Sequence, residues 1–299
     1  MNIVKIPDPN QPTRADGLNE RVHLIPLGHE IDRAVKPFNT YRAERAYVIV
    51  VPDNADLDEQ MLEKQRHYTK RVCEGLLAAG VRPEVVYCNM FDILDMLRVF
   101  SSLIVKEKQQ GNDVLINMSA CGRMTSVAVT MAAMVHGVTA YYVHADRYAT
   151  GGDAALEADH GLSIVETGRV EPLYNFSIMM PDAECQLLLC ELYRRGQGMT
   201  SEDLFDFFHQ KGFEGYGELP AKKRNKSDEY SSGSKNRELL NRTNRKYLHK
   251  LEAAGYITRI WMGRRFTVRI TDAGRYIACV SGLLEGNIGN TRSARPLYP

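Results

Sequence analysis

The 299-residue chain lacks the features of a secreted or membrane-spanning protein. Its start has neither a basic region nor an apolar stretch, and Pro7, Pro9 and Pro12 stand where a secretory signal would need that stretch. The run 124–143 carries no Asp, Glu, Lys or Arg and is long enough to span a bilayer, but polar and small residues interrupt it. We therefore predict a buried helix, a glycine stop and a buried strand there, in a soluble cytoplasmic protein.

The chain also lacks the motifs of metal sites and of covalent catalysis. Its six cysteines form no C-x-x-C pair and show no zinc-ligand spacing, which indicates reduced thiols in a cytoplasm. His29, Glu30 and Asp32 could mimic a metal cluster, but successive loop carboxylates are more often solvated or capping residues. No Ser-His-Asp or Cys-His arrangement can be argued. We predict no metal, no cofactor and no catalytic residue.

An overall excess of charge is absent as well, because the net charge is only +1. The two halves nevertheless differ. Residues 1–180 carry 18 basic and 23 acidic residues, a net of −5, whereas residues 181–299 carry 20 and 14, a net of +6. Within the second half, the segment 218–269 has a net charge of +9. This asymmetry indicates that the C-terminal half meets a polyanion.

The first 20 residues form a polar N-terminal arm. Between residues 21 and 180, short apolar runs alternate with longer segments in which apolar residues recur at helical spacing. The pattern predicts strands at 21–27, 46–51, 84–88, 113–117 and 138–143, with 163–167 as a candidate edge strand. Helices are predicted between them, with apolar faces through Leu57, Met61, Tyr68, Val72 and Leu76, through Phe91, Leu94, Leu97, Phe100 and Ile104, and over 123–136. Such alternation is typical of a parallel sheet covered on both faces, an α/β Rossmann-like domain.

The alternation ends at Pro181. Helices are predicted over 183–194, after a capping signature at 200–203, and over 236–254, with a Gly-, Ser- and Lys-rich insertion at 214–235. Strands 256–262 and 265–270 follow, joined at Gly263-Arg264, and a short helix begins near Thr271. This order predicts a winged helix-turn-helix domain over 181–285 and a tail at 286–299.

The helix 236–254 has an apolar face, which we predict to consist of Leu240, Thr243, Tyr247, Leu251 and Ala254. The DNA-binding candidates on its other face, at its flanks and in the hairpin are Arg237, Asn241, Arg242, Arg245, Lys246, Arg264 and Arg265, with Arg259 and Arg269 as further hairpin arginines. Arginine and asparagine can reach base edges in the major groove, while hairpin arginines can reach phosphates or a minor groove. The alternative is a solvated basic helix in a domain that mediates protein contacts.

Two loops follow predicted strands at the sheet edge where parallel sheets bind ligands. The first contributes Leu27, Gly28, His29, Glu30, Asp32 and Arg33, and the second contributes Asn117, Ser119, Ala120, Cys121, Gly122, Arg123 and Met124. The second loop is small and precedes a helix, so its backbone N–H groups can face an anion. Neither loop is a dinucleotide fingerprint or a P-loop. The alternative is a tight turn that only packs the helix on the sheet.

These two loops and the winged helix behind them resemble archaeal CARF (CRISPR-associated Rossmann fold) transcription regulators over about residues 20–275. Ser119 takes the hydroxyl position of the family motif and Arg123 its basic neighbourhood, while Ala120-Cys121 stand where a glycine is common. The resemblance implies a homodimer with a two-fold pocket for a cyclic oligoadenylate, most often cyclic tetra-adenylate. It also implies paired winged helices that bind double-stranded DNA and control CRISPR-related genes.

The same resemblance leaves two alternatives open. Some CARF proteins slowly cleave their cyclic ligand, and Ser119 and Arg123 could assist such a reaction, although no general base is convincingly placed. The other alternative is a regulator outside CRISPR immunity that senses a different nucleotide. We expect an effector-binding regulator and not an enzyme.

Overall fold

The computed structural model describes residues 19–53, 58–149, 154–174, 176–217, 237–263 and 265–284. The chain forms two compact units, divided between Met179 and Met180, and Leu284 belongs to the first. Most of the predicted arm at 1–20, the tail at 286–299 and the side chain of Arg264 lie outside the described residues, as does most of the insertion.

The first unit consists of eight described strands and five described α-helices. The strands are β1 (Arg21–Pro26), β2 (Arg45–Val50), β3 (Arg82–Tyr87), β4 (Asp113–Asn117), β5 (Thr139–Val143), β6 (Arg147–Tyr148), β7 (Ser163–Ile164) and β8 (Val170–Pro172). The helices are α1 (Asp32–Val35), α2 (Glu59–Ala78), α3 (Ile93–Gln109), α4 (Arg123–His136) and α5 (Ala154–His160). A 3₁₀ turn at Lys36–Asn39 follows α1.

The main sheet has the order β3-β2-β1-β4-β5-β8. Its first five strands are parallel, and β8 runs antiparallel to β5. The chain moves outward from β1 through β2 to β3 and then returns to the other side of β1 with β4. The loops after β1 and β4 therefore flank the point where the strand order reverses, which is where open α/β sheets bind ligands. The predicted Rossmann-like fold is confirmed.

Burial on both faces accounts for the unbroken apolar strands. Every residue of β2 is buried, and Val22, Leu24 and Ile25 of β1 are fully enclosed. Helix α2 begins after Asp58, whose carboxylate accepts a hydrogen bond from the Met61 N–H. Its buried stripe starts at Leu62 and not at Met61, which is 39% exposed because neighbouring helix positions differ by about 100°.

The predicted edge strand 163–167 is wrong in its position. Ser163–Ile164 pairs with Arg147–Tyr148 in a separate two-stranded ribbon, and Val170–Pro172 forms the edge of the main sheet. The backbone N–H groups of Ser163 and Val165 donate to carboxylates of the loop after β1, at 3.1 and 3.0 Å. These contacts with the loop fix the segment away from β5.

The second unit is a three-helix arrangement with a hairpin and a closing helix. Its elements are α6 (Ala183–Arg195), β9 (Met199–Thr200), α7 (Ser201–Gln210), α8 (237–253), β10 (Ile257–Met262), β11 (Arg265–Ile270) and α9 (Asp272–Val280). The strands form one antiparallel sheet in the order β10-β11-β9. Thr200 and Asp203 cap α7 reciprocally, as the capping signature predicts. The predicted winged helix domain is confirmed.

Helix α8 contains a π-helical turn at Asn244–Leu248. The wider turn places both Tyr247 and Leu248 in the core, because it adds one residue to the helical repeat. The predicted apolar face is therefore partly wrong: Leu240 is only half-buried and Ala254 is exposed. Leu239 and Leu248 are buried instead.

His23 of β1 makes the stability of the first unit depend on pH. Its ring lies against the rings of Phe38 and Tyr141, with Nδ1 2.9 Å from the Tyr141 hydroxyl. Burial lowers the pKa of this imidazole from 6.5 to about 3. The unfolded chain therefore binds more protons than the folded one between these two values. The stability that His23 contributes is present above pH 6.5 and is lost as the pH falls toward 3.

We expect this group alone to lower the free energy of unfolding by about 1.4 kcal/mol for each pH unit below 6.5. Urea denaturation at several pH values between neutrality and mild acid measures the slope. His23→Phe is expected to flatten it, since phenylalanine takes up no proton. An equally steep slope in this variant would assign the acid sensitivity to other groups.

Candidate functional site

A pocket of about 370 Å³ lies at the carboxyl ends of β1 and β4. Eight of the thirteen predicted ligand residues line it, namely Gly28, His29, Glu30, Ala120, Cys121, Gly122, Arg123 and Met124. Thr125 and six residues from other parts of the unit complete the lining: Val51, Met61, Gln65, Met90, Phe91 and Leu162. The two loops predicted from the sequence thus meet at one site. The additional residues come from the first turn of α4, from α2 and from loops that carried no motif.

The two loops approach each other through Gly28. Its N–H donates to the Ala120 carbonyl oxygen at 2.7 Å, and a Cβ at this glycine would lie 3.3 Å from that oxygen. The small residues of the second loop therefore allow the two loops to pack closely. This agrees with the alternative prediction, in which the loop is a tight turn that packs the helix on the sheet. The packing also leaves Gly122 and Arg123 exposed at the pocket rim.

The N-terminus of α4 has no side-chain cap. Its N-cap residue is Gly122, whereas α2, α3, α6, α7 and α9 each begin with a side chain that accepts a hydrogen bond from the first turn. The first N–H groups of α4 and the positive end of its dipole therefore face the same rim as the exposed Arg123 side chain. This rim can bind an anion.

The five remaining predicted ligand residues, Leu27, Asp32, Arg33, Asn117 and Ser119, are buried beneath the pocket. The Asn117 amide donates to the Arg33 carbonyl oxygen at 2.8 Å, and its Oδ1 accepts the Ser119 hydroxyl at 2.6 Å. Ser119 Oγ in turn accepts the Val143 N–H at 2.8 Å. These side chains join the loops to each other and to β5, so they position the pocket wall and do not line it.

The two carboxylates of the first loop bind protein groups as well. Glu30 accepts the Ser163 hydroxyl at 2.7 Å, and Asp32 accepts the Val165 N–H and lies 3.0 Å from His160 Nδ1. Burial raises the pKa of Glu30, against the hydrogen bond from Ser163. Among the described residues, no group of three or more His, Cys, Asp or Glu is arranged to hold a metal ion.

Aromatic and thioether groups form other parts of the pocket. The His29 ring stacks on Tyr68, with ring centroids 5.1 Å apart and an interplanar angle of 25°. Burial and the charge of Lys64 lower the pKa of His29, which keeps its ring neutral near pH 7. Met90 and Phe91 add apolar surface. The pocket therefore combines flat and apolar surfaces with an anion-binding rim.

In the second unit, the exposed polar face of α8 carries Arg237, Asn241 and Arg245. Two other predicted DNA-binding residues make internal contacts: Arg242 Nη1 donates to the Gly215 carbonyl oxygen at 2.6 Å, and Lys246 Nζ lies 3.0 Å from a Glu184 carboxylate oxygen. Arg265 is exposed at the start of β11, and Arg264 lies outside the residues whose side chains are described. The face available to a partner is thus narrower than the sequence indicates.

Comparison with protein families divides the chain in the same way. Residues 21–148 match the family described as HFX_2341_N-like, N-terminal, and residues 184–282 match the DUF6293 C-terminal winged helix domain. The first match lies within the unit that holds the parallel sheet, and the second lies within the winged helix unit. Together with the sheet order, these matches confirm the predicted combination of a Rossmann-like domain with a winged helix domain.

An uncharacterized protein of Methanocaldococcus jannaschii is 23% identical over 203 residues, 61% of this chain and 59% of the relative. The structure of Enterococcus italicus Csm6 bound to cyclic hexa-2′-fluoro-hexa-dAMP has a TM-score of 0.41 and 12% identity, and the match covers 78% of this chain and 58% of that one. Can2 from Sulfobacillus thermosulfidooxidans in complex with cyclic tetra-adenylate has a TM-score of 0.33 and 10% identity, with 86% and 61% covered. The chain spans about three fifths of the length of each of these proteins.

In the described parts of the chain, we find no helix that is both long and apolar enough to cross a membrane.

Proposed function

We propose, from the pairing of an HFX_2341_N-like domain with a DUF6293-type winged helix domain, that this protein is a ligand-responsive DNA-binding transcription regulator. Its effector is a cyclic oligoadenylate, with cyclic tetra-adenylate as the first candidate, and its targets are CRISPR-related genes of antiviral defence. The observation that carries the proposal is the anion-binding rim of the pocket, where Arg123 stands beside the uncapped start of α4.

The pocket suits a ligand that carries both phosphates and bases. Phosphate oxygens accept hydrogen bonds from the first turn of α4 and from Arg123, while bases have the His29 ring and Phe91 to stack against. A homodimer would present two equal sets of these groups to equivalent phosphates of a symmetric ring. Met124 and Val127 on α4 are 58% and 52% exposed, which supports a second copy at this surface.

Regulation requires that the ring binds two states of the dimer with different affinity. We propose that ligand contacts from both subunits change the relative orientation of the subunits and hence the spacing of the two α8 helices. Calorimetric titration of the purified protein with cyclic tetra-adenylate, with the linear tetramer as control, tests the first step. One ring bound per two chains is the expected result. Absence of binding by rings of any size would contradict the proposed effector.

Arg123→Ala is expected to weaken binding of cyclic tetra-adenylate by about tenfold to a hundredfold, since a hydrogen bond to a charged group contributes about 1.5–3 kcal/mol. Affinity for bare duplex DNA is expected to stay unchanged. Lys70→Ala, which removes an exposed charge of α2 that does not line the pocket, is the matched control. Equal losses of ring and DNA affinity in Arg123→Ala would indicate a general defect and contradict the assignment.

DNA binding is proposed for the exposed face of α8. Arg245→Ala is expected to weaken binding of duplex DNA and to reduce the slope of log K against log salt by about 0.9, the value for one phosphate contact. Arg275→Ala, which removes the same charge from the exposed surface of α9, is the control and is expected to leave the slope unchanged. Fluorescence anisotropy at several salt concentrations measures both. An unchanged slope in Arg245→Ala would place the interface elsewhere.

We further propose that the ring is bound and not cleaved, and that the protein works in a reducing cytoplasm. The second statement is supported by the six cysteines, all of which are free thiols. Incubation with a labelled ring, followed by separation of linear products, tests the first. If the wild-type protein cleaves the cyclic oligoadenylate and Arg123→Ala does not, the protein is a ring nuclease instead.

A further inference from the structure

The tip of the hairpin β10–β11 carries three consecutive exposed apolar side chains. Ile260, Trp261 and Met262 are 40%, 60% and 68% exposed. Successive residues of a strand point to opposite faces, so apolar surface is exposed on both sides of the tip. A run of this kind is unfavourable in water unless a partner covers it. The winged helix fold does not require it, because the core contacts of the hairpin come from Ile257, Phe266 and Val268.

The exposed tryptophan is held in place from beneath. Its ring packs on Phe266, its cross-strand partner, with centroids 5.1 Å apart. The Arg259 guanidinium lies 6.0 Å from the centre of the Trp261 ring, and it is itself fixed by an ion pair with Glu252 and a hydrogen bond to Asn244 Oδ1. Arg259, a predicted phosphate contact, is thus a support of the tip. These contacts support the Trp261 ring on the side that faces the domain.

The charge around the tip favours a polyanionic partner. The segment 257–270 contains four arginines and no acidic residue. Arg265 is exposed and lies opposite Met262 in the strand register. A groove between two phosphate strands attracts this concentration of positive charge and also accepts apolar side chains that are inserted between base pairs.

We propose that Trp261 and Met262 form an apolar wedge that enters the minor groove of duplex DNA and opens a base step, bending the duplex. The inference rests on the proposed DNA-binding function and adds a mode of recognition to it. A wedge selects sequences that open readily, such as TA steps, without hydrogen bonds to base edges. The hairpin β10–β11 would then select DNA that bends readily, while α8 contacts base edges and phosphates.

Trp261 is the single tryptophan of the chain, so its emission reports on the wedge directly. The experiment uses the full-length protein and two 30-base-pair duplexes with a fluorophore at each end, one with central TA steps and one with a central A-tract. We expect the duplex with TA steps to shift or quench Trp261 emission, to shorten the end-to-end distance, and to bind about tenfold more tightly than the A-tract duplex.

The double variant Trp261→Ala/Met262→Ala is expected to lose the bend and the tenfold preference while keeping the salt slope of the wild type. Trp261→Phe keeps an apolar ring and is expected to keep the bend. Leu77→Ala removes an equally exposed apolar residue from the first unit and should change neither. Thermal denaturation followed by circular dichroism establishes that each variant is folded.

Four results would overturn the wedge. Duplex binding with unchanged Trp261 emission would remove the wedge but leave the proposed DNA binding intact, and so would an equal bend in the double variant. A shift of emission with protein concentration alone would assign the tip to contact between copies of this chain. No binding of either duplex at about 50 mM salt would contradict DNA binding itself, and the wedge with it.

Discussion

Glu107→Ala is expected to lower the free energy of unfolding of the first unit by about 3–5 kcal/mol, the cost of breaking a buried ion pair. The side chain is fully buried in α3, where Arg45 Nη2 and Nη1 lie 2.7 and 3.1 Å from its two oxygens. The Tyr47 hydroxyl and the Asn112 amide donate to the same carboxylate at 2.6 and 2.7 Å. Burial raises the pKa of Glu107, but the hydrogen bonds from Arg45 and Tyr47 outweigh it and lower the pKa.

Urea denaturation at neutral pH measures this loss. Glu74→Ala removes the carboxylate of an exposed pair with Lys70 at 4.0 Å and is the matched control, with no measurable change expected. The double variant Arg45→Met/Glu107→Leu is expected to regain part of the stability, because it leaves no unpaired charge in the core. A loss in Glu107→Ala no larger than that of the control would show that the buried pair contributes nothing.

Gly161→Ala is expected to cost about 3 kcal/mol of stability and to weaken the proposed binding of cyclic tetra-adenylate by about tenfold. Gly161 has a φ of +81°, and a Cβ here would lie 2.7 Å from both the Glu30 Cα and the Ile31 nitrogen. These atoms belong to the backbone of the first pocket loop and cannot move aside independently. The substitution must therefore displace the loop that carries Gly28 and His29, which is why binding and stability are expected to fall together.

Gly168→Ala separates the two causes of that loss. Gly168 also has a positive φ, +63°, but its Cβ would meet nothing within 4 Å. This control is expected to lose only about 1–2 kcal/mol, from the backbone conformation, and to bind the ring as the wild type does. Denaturation and calorimetry on both variants provide the comparison. Equal losses of stability in the two variants would rule out the predicted clash with the loop.

Local patterns in the sequence predicted most of the architecture. Helix α4 and strand β11 have the predicted bounds, 123–136 and 265–270. Glycines flank α4, and β11 follows the turn at Gly263-Arg264, so turn residues mark these boundaries in the sequence. The two ligand loops were predicted to lie at the ligand-binding edge of the sheet because each follows a parallel strand. In the structure those two strands, β1 and β4, are neighbours, and both loops line the pocket.

Predictions failed where distant segments decide the outcome. The segment 163–167 has strand character, yet hydrogen bonds to Glu30 and Asp32 hold it in a ribbon apart from the main sheet. The π-helical turn of α8 shifts the buried face by one residue. The prediction assumed the spacing of a regular α-helix throughout, so it missed this shift. Gln65 and Leu162 line the pocket without belonging to any motif.

The order of residues along the chain was enough to predict a Rossmann-like domain, a winged helix domain and a pair of loops at the ligand edge of the sheet. Hydrophobic period, glycines and charge distribution are properties of short segments, so they can be interpreted without coordinates. Which loop residues line the pocket and which are buried depends on contacts between distant segments. Asn117, Ser119 and Arg33 are polar and lie in the right loops, but they find hydrogen-bond partners across the domain and are buried. Arg123 is exposed at the rim, as the first residue of α4 after the uncapped Gly122.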